Sequence, residues 1–342
     1  MFDLNPVEIT AVGLGTAGIR IVSLLSKQSL LVDRFAYVSC DGSDFDNLES
    51  GDKILVESPV DQKLTPAMVR GLAFGSCSRI KTALSGSKVV FVVAGLGRAT
   101  GSGLAPLVAS IANECGAITV GVAVMPFEYE RKLKFHAGVS LRRLRSATRG
   151  VIVIDNDTLL TSSPEDSTLA GIYEGANKEA VKALSSLLSR SSETTVAVGL
   201  SKLLGTVLQD GYALLGMSCS CSSDKAEEAL AGAVVSIGKI AEAREVSRAV
   251  VVLRGDKSLS ATEVGVAVKR LGSMINNGEV DVEHAVSYSG TAQLQVSLLA
   301  SGFRSTKYDD YDPLHKLLQG RVIDDDIDSS LPLGLDLLPP CD

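Results

Sequence analysis

The stretch Ser87–Pro106, SKVVFVVAGLGRATGSGLAP, constrains this chain more than any other. Val89 to Val93 is an unbroken apolar run, the pattern of an interior strand in a parallel sheet covered on both faces. Gly95, Gly97, Gly101 and Gly103 follow it. Without side chains they let the backbone approach a ligand and aim successive N–H groups at it. Thr100 and Ser102 add hydroxyls. Pro106 suits the first turn of a following helix, whose N-terminus carries partial positive charge. The combination suits a phosphate group. A tight strand–helix turn with no ligand is the other reading of the same residues.

A second stretch has the same design. Glu8–Val12 reads as a strand, Gly13-Leu14-Gly15-Thr16-Ala17-Gly18 as a turn, and Ile19 to about Ser26 as an amphipathic helix. This is G-x-G-x-x-G, and Asp33 lies twenty residues past Gly13. A dinucleotide-binding Rossmann domain and an NAD-dependent oxidoreductase are therefore one reading. That reading lacks any evident hydride-transfer constellation.

Further strands and helices alternate along the chain. Phe35–Ser39 reads as a strand ending at Cys40-Asp41-Gly42, where Asp41 alone would be a turn cap. Thr65 and Pro66 have the N-cap and first-turn pattern of a helix. Leu107–Glu114 is helical, and Ala117–Val124 is a second near-continuous apolar strand leading into Met125-Pro126-Phe127-Glu128-Tyr129-Glu130. Val151–Asp155 is a strand ending at Asn156. A long helix follows from Tyr173 to about Leu188, and Tyr173 and Asn177 share one face at i, i+4. Beyond it come a helix (225–241), a strand (249–253), a helix (261–274) and two strands (285–289 and 291–300) joined by a short Ser-Gly turn. Repeated strand–helix units with glycine-rich or polar turns imply an α/β fold whose parallel sheet carries its ligand at the strand C-termini.

Charge and cysteine usage exclude several classes. The net charge is −7, and from Lys307 onward nine Asp face two Lys and one Arg, so the acidity is a tail. No basic stripe with interleaved aromatics points to nucleic acid. No apolar stretch is long enough to span a bilayer, and MFDLNPVEIT has no signal-peptide pattern. Six scattered cysteines and three His form no zinc pattern, which reads as no metal site and reduced cytoplasmic thiols.

Ala94–Pro106 resembles the GGGTGTG phosphate loop of the tubulin/FtsZ superfamily, with Gly97-Arg98-Ala99-Thr100-Gly101-Ser102-Gly103 as the matching heptad. Arg98 and Ala99 stand where the family has glycine. The resemblance covers about residues 7 to 306. It implies a Rossmann-like GTP-binding domain (1–172), a long central helix (173–192), a smaller α+β C-terminal domain (193–306) and an acidic disordered tail (307–342). It implies GTP or GDP, with magnesium an optional companion, held by Gly13, Gly15, Thr16, Ala17, Gly18, Asp41, the heptad, Glu130 at the ribose, Lys134, and Asn156, Tyr173 and Asn177 at the guanine.

Gly211-Tyr212-Ala213-Leu214-Leu215-Gly216 is similar to the family's GYAMMG segment. Counting back from it puts the catalytic N-x-D-x-x-D loop at Ala197, Gly199 and Lys202. Counting forward from Asn177 puts it at Val198, Leu200 and Leu203. Either way the acids are missing. In the family these acids act on the nucleotide of the next subunit. The resemblance thus implies head-to-tail filaments, in a cytoskeletal or cell-division role, with weak or lost hydrolysis. Self, a conventional FtsZ subunit, and a membrane-anchoring protein at Leu331–Leu338 are the implied partners. A nucleotide-free pseudo-GTPase scaffold is the third reading.

Overall fold

The computed structural model describes residues 8–59, 63–159, 168–192, 195–222, 224–256, 259–275, 280–288 and 293–312. The apolar runs become β1 (Ile9–Leu14), β2 (Arg34–Ser39), β3 (Asp52–Leu55), β4 (Val89–Gly95), β5 (Ile118–Met125) and β6 (Gly150–Asp155). These six lie parallel in the order β3-β2-β1-β4-β5-β6. The connecting helices are α1 (Gly15–Leu25), α2 (Pro66–Ala73), α3 (Cys77–Leu84), α4 (Ala99–Glu114), α5 (Arg131–Ser146) and the short α6 (Asn156–Leu159). A helix on each face explains why β4 has no polar residue in its run. Val90, Val92 and Ala94 pack with α2, α3 and α4, while Val89, Phe91 and Val93 pack with α1. The Thr65 cap is present, its hydroxyl accepting from the Met68 N–H at 3.3 Å with Pro66 at the first position.

The long helix α7 spans Leu169–Leu187, ending earlier than expected, and buries Ala176, Ala180, Ala183, Leu184 and Leu187 on one face. Then follow β7 (Thr195–Val196), α8 (Leu200–Val207), β8 (Tyr212–Ser220), α9 (Lys225–Gly238), β9 (Arg248–Gly255), α10 (Ala261–Met274), β10 (Asp281–Tyr288) and β11 (Leu294–Phe303). The sheet continues across α7: β8 joins β6 in parallel through Ile152↔Ala213, extending the order through β8-β11-β9-β10-β7. The last two strands are not hydrogen-bonded neighbours. β11 lies antiparallel between β8 and β9, and β10 lies parallel outside β9. A short connection in sequence hid this arrangement, because strand neighbours are chosen by burial of the apolar β11, every alternate residue of which is enclosed.

Three local expectations change. First, α4 begins at Ala99, so Pro106 lies inside the helix and not in its first turn. Gly101 allows this, because a Cβ there would sit 2.2 Å from the Gly95 carbonyl oxygen; the helix starts hard against the strand it follows. Second, α1 likewise begins inside its motif, at Gly15. Third, the tail does not leave the body at Lys307. Residues Lys307–Tyr311 form a 3₁₀ turn capped by Thr306 and packed on α5, with Tyr308 and Asp312 buried. Lys307 pairs with the buried Asp155, and Arg142 pairs with Asp312 at 2.9 Å. The expected terminal peptide Leu331–Leu338 lies outside the described residues.

Candidate functional site

At the C-terminal ends of β1, β4, β5 and β6 lies a cavity of about 460 Å³, within the roughly 300–1,000 Å³ typical of small-molecule sites. Its floor is the start of two helices. Leu14, Gly15, Thr16 and Ala17 come from α1 and its entry; Arg98, Thr100 and Gly101 come from α4 and its entry. The two N-termini touch: a Cβ on Gly15, whose φ is +62°, would lie 3.2 Å from the Gly101 nitrogen. Neither helix has a side-chain cap or an acidic residue in its first turn. The first intrahelical bond of α4 is Ser102 N–H to Arg98 oxygen at 3.2 Å, so the amides of Ala99, Thr100 and Gly101 precede the ladder. Two such ends side by side make a focus of positive potential with N–H donors, which favours an anion.

The opposite wall is built around Glu130, whose side chain is 10% exposed. Its Oε2 accepts the Phe127 N–H at 3.1 Å, and its Oε1 accepts the Tyr173 hydroxyl. The Arg98 guanidinium lies 3.6 Å from the same Oε1. Burial, then the hydrogen bond to Glu130, holds the Tyr173 phenol well above its ordinary pKa, so it stays a donor. Tyr173 meets Phe127 edge-on with ring centres 5.3 Å apart, and Tyr129 stacks on the same Phe127 at 5.2 Å. Asn156, buried at the end of β6, and Asn177, one turn after Tyr173 on α7, complete the polar lining. Leu96, Val124, Pro126 and Leu133 supply apolar surface. A flat apolar wall bearing two amides accommodates a planar heterocycle with edge donors and acceptors.

The structure therefore brings Gly15, Thr16, Ala17, Arg98, Thr100, Gly101, Glu130, Asn156, Tyr173 and Asn177 to one cavity. The other candidates do not line it. Gly13, Gly18 and Gly103 are sites of close packing, where a Cβ would fall 2.7, 2.2 and 2.6 Å from a backbone oxygen. Gly97, with φ +106°, donates its N–H to the Ser102 hydroxyl at 2.8 Å, shaping the loop from behind. Ala99 sets the first position of α4. Asp41 caps its own turn, accepting from the Ser43 N–H at 3.0 Å and hydroxyl at 2.8 Å. Lys134 pairs with Glu128 and lies 4.9 Å over the Tyr311 ring.

Asp33 receives the Ile9 N–H at 3.0 Å and pairs with Arg190 at 3.0 Å. Ile9 opens β1, five residues or roughly 16 Å from the cavity end of that strand. The acid expected at a dinucleotide ribose is thus at the wrong end of the sheet.

Arg20 and Leu133 also line the cavity without having been singled out from the sequence. Arg20 had a readable signal, since it lies four residues after Thr16 on the same face of α1. Among the described residues no three His, Cys, Asp or Glu side chains group as a metal site, and Glu130 is the one carboxylate on the cavity wall.

Ala197, Gly199 and Lys202 lie at the other end of α7. That helix, at 19 residues, is about 28 Å long. Gly199 is the entry to α8 with φ +80°, and α8 leads into the end of β8 that starts beside the N-terminal half of β6. Lys202, expected in a loop, lies in the first turn of α8, and the segment is less bare in space than in sequence: Lys202 Nζ meets Glu283 of β10 at 2.5 Å. A carboxylate 81 residues away reaches it, which no local pattern announces.

A family model described as Tubulin/FtsZ family, GTPase domain, matches residues 65–164. A cell division protein FtsZ of Buchnera aphidicola from Schizaphis graminum is 29% identical over 320 residues, covering 90% of this chain and 82% of that protein. The FtsZ of Buchnera aphidicola from Acyrthosiphon pisum is 30% identical over 233 residues, or 66% of this chain, and the match spans 60% of that relative's length. Among solved structures, an FtsZ dimer of M. jannaschii superposes with a TM-score of 0.76 at 24% identity, covering 86% of this chain and 88% of that one. CetZ2 of Haloferax volcanii, a GTPgS-bound protofilament, gives 0.71 at 19% identity, covering 92% and 99%.

Proposed function

Because the chain is a divergent FtsZ-like protein of the tubulin/FtsZ superfamily, we propose that its cavity binds a guanine nucleotide. The observation that carries this reading is the meeting of two uncapped helix N-termini beneath a wall of Glu130, Tyr173, Asn156 and Asn177. The phosphates rest on the amides of α1 and α4, the sugar hydroxyls meet Glu130, and the base lies against Tyr173 with the two Asn amides at its edge.

Filament formation is the second part of the proposal. The cavity takes Tyr173 and Asn177 from the first half of α7, whereas segment 197–203, the entry and first turn of α8, lies beyond the other end of α7, an arrangement suited to a heterologous contact that repeats without closing. Such a contact sets Lys202, already held by Glu283, over the next subunit's phosphates. A protonated lysine is a poor base, and loss of a positioned acid/base group costs roughly 10²–10⁴ in rate. The protein is thus a slow GTPase by itself and a cytoskeletal polymer in a cell-division role. Association with a conventional FtsZ subunit would restore turnover where that partner supplies the acids.

The test is to incubate purified protein with labelled GTP, re-isolate it, identify the bound nucleotide over time, and sediment the polymer. Label persisting as GTP in a sedimenting fraction is expected. Rapid release of phosphate by the protein alone would overturn slow hydrolysis, and a protein carrying no label would favour the nucleotide-free scaffold. NAD displacing a guanine probe would revive the oxidoreductase reading, which has lost Asp33.

A further inference from the structure

Arg98 is the residue by which this cavity departs most from a bare glycine cradle. It is the N-cap of α4, so its backbone belongs to the anion-binding floor, yet its guanidinium reaches Glu130 on the opposite wall. The contact is 3.6 Å from one guanidinium nitrogen to one carboxylate oxygen, too long for a good hydrogen bond, and the Arg98 side chain is 73% exposed. A long, single-point ion pair with its cation in water is weak. Glu130 does not depend on it for position, because Phe127 N–H and the Tyr173 hydroxyl hold the carboxylate at both oxygens. The carboxylate stays in place when Arg98 leaves. It then presents Oε1 with one fewer donor.

We propose that Arg98 is a phosphate-operated clasp and the residue that sets the discrimination of this cavity between phosphorylated and unphosphorylated ligands. This inference rests on the nucleotide reading above. A polyphosphate on the α1 and α4 amides offers the guanidinium a second anion with more charge and a matching pair of oxygens. Arg98 swings from Glu130 to that phosphate, and Oε1, which still accepts from the Tyr173 hydroxyl, takes a hydroxyl of the sugar on the side that Arg98 left. An uncharged nucleoside supplies no such anion. It competes with Arg98 for Glu130 directly, a small penalty, and gains no phosphate contact in return. The clasp thereby ties the sugar half of the cavity to occupancy of the phosphate half. A small residue at position 98 would leave the two halves independent.

The experiment measures dissociation constants of guanosine, GMP, GDP and GTP by competition against a fluorescent guanine nucleotide. The proteins are wild type, Arg98→Ala and Arg98→Lys. In Arg98→Ala, guanosine binding is expected to tighten while GTP binding weakens, so that the ratio between them narrows at least tenfold. Arg98→Lys keeps the charge without the fork and falls between. Because the side chain is exposed, the variants are expected to keep the wild-type melting temperature. A uniform change across all four ligands would overturn the clasp in favour of a purely structural role at the start of α4. No change in any of them would overturn it as well. If the wild type fails to bind and Arg98→Ala binds, Arg98 is a plug and the transfer to phosphate is wrong. If none of the proteins binds any guanine ligand, the nucleotide reading itself has failed, a result recognisably different from failure of the clasp.

Discussion

Replacing Lys307 by methionine tests whether the segment after the last strand is part of the folded body. The Asp155 side chain is 1% exposed, and its Oδ2 has the Lys307 ammonium as its charged partner. Its Oδ1 accepts the Asp157 N–H at 3.0 Å, and the buried Tyr308 stands close by. Removing the ammonium strands a carboxylate at the end of β6. Breaking a fully buried pair costs about 3–5 kcal/mol. Lys307 is 28% exposed, so water reaches the site and about 2 kcal/mol is the reasonable figure. At roughly 2–4 °C per kcal/mol, the melting temperature falls by about 4–8 °C. Urea titration and calorimetry of Lys307→Met, Asp155→Asn and the double variant supply the cycle. The double variant is expected to recover most of the loss, since the buried charge has gone while an acceptor for the Asp157 N–H remains. A cost below about 0.5 kcal/mol for Lys307→Met, the scatter of an ordinary surface substitution, would show that Asp155 does not depend on the ammonium. A double variant no more stable than Lys307→Met would show the same.

Three other outcomes follow from the geometry. Gly101→Ala places a Cβ 2.2 Å from the Gly95 oxygen, so α4 must shift off β4; a loss of about 1–3 kcal/mol with at least tenfold weaker guanine-nucleotide binding is expected, read by urea titration and probe competition. Asp157 has a raised pKa because it is half-buried and beside Asp155, so the folded state favours its protonated form and loses stability as pH rises through the raised value. Asp157→Asn should therefore be more stable than wild type at pH 7, with the gain vanishing once pH falls below the ordinary 3.8, as equilibrium unfolding across pH will tell. Finally, Lys202→Asp combined with Glu283→Gln puts an unpaired acid in the first turn of α8. It should raise phosphate release from sedimentable polymer at least tenfold, and an unchanged rate would remove that segment from the hydrolysis argument.

Local sequence was sufficient wherever the determinant is short-range. The apolar run Val89–Val93, the Thr65-Pro66 cap and the glycine clusters after β1 and β4 announce strand, helix start and anion-binding turn from neighbours alone. So do Tyr173 and Asn177, because i, i+4 spacing on a helix is itself a spatial statement. The resemblance then ordered these pieces, and ten of its proposed site residues reach the one cavity. Asp41 and Lys134 do not, because each has a nearer partner in Ser43 or Glu128 that no spacing rule ranks against a distant ligand.

The sequence by itself determined the kind of chain this is: strand–turn–helix units with phosphate-type turns, and a stretch from 194 to 208 without acids. Tertiary structure alone decided which of two helix registers α4 takes, since the close approach of Gly101 to Gly95 draws the helix back to Ala99 and encloses Pro106. It decided that Asp33 serves Ile9 and Arg190 at the far end of the sheet, that β11 lies between β8 and β9, and that Lys307 closes on Asp155. It also set Arg98 against Glu130 and Glu283 against Lys202. Except for the Gly101–Gly95 approach, each of these depends on residues far apart in the chain meeting at one place. Periodicity and capping rules read only the energy of near neighbours, whereas burial and charge pairing are settled by the whole packed chain.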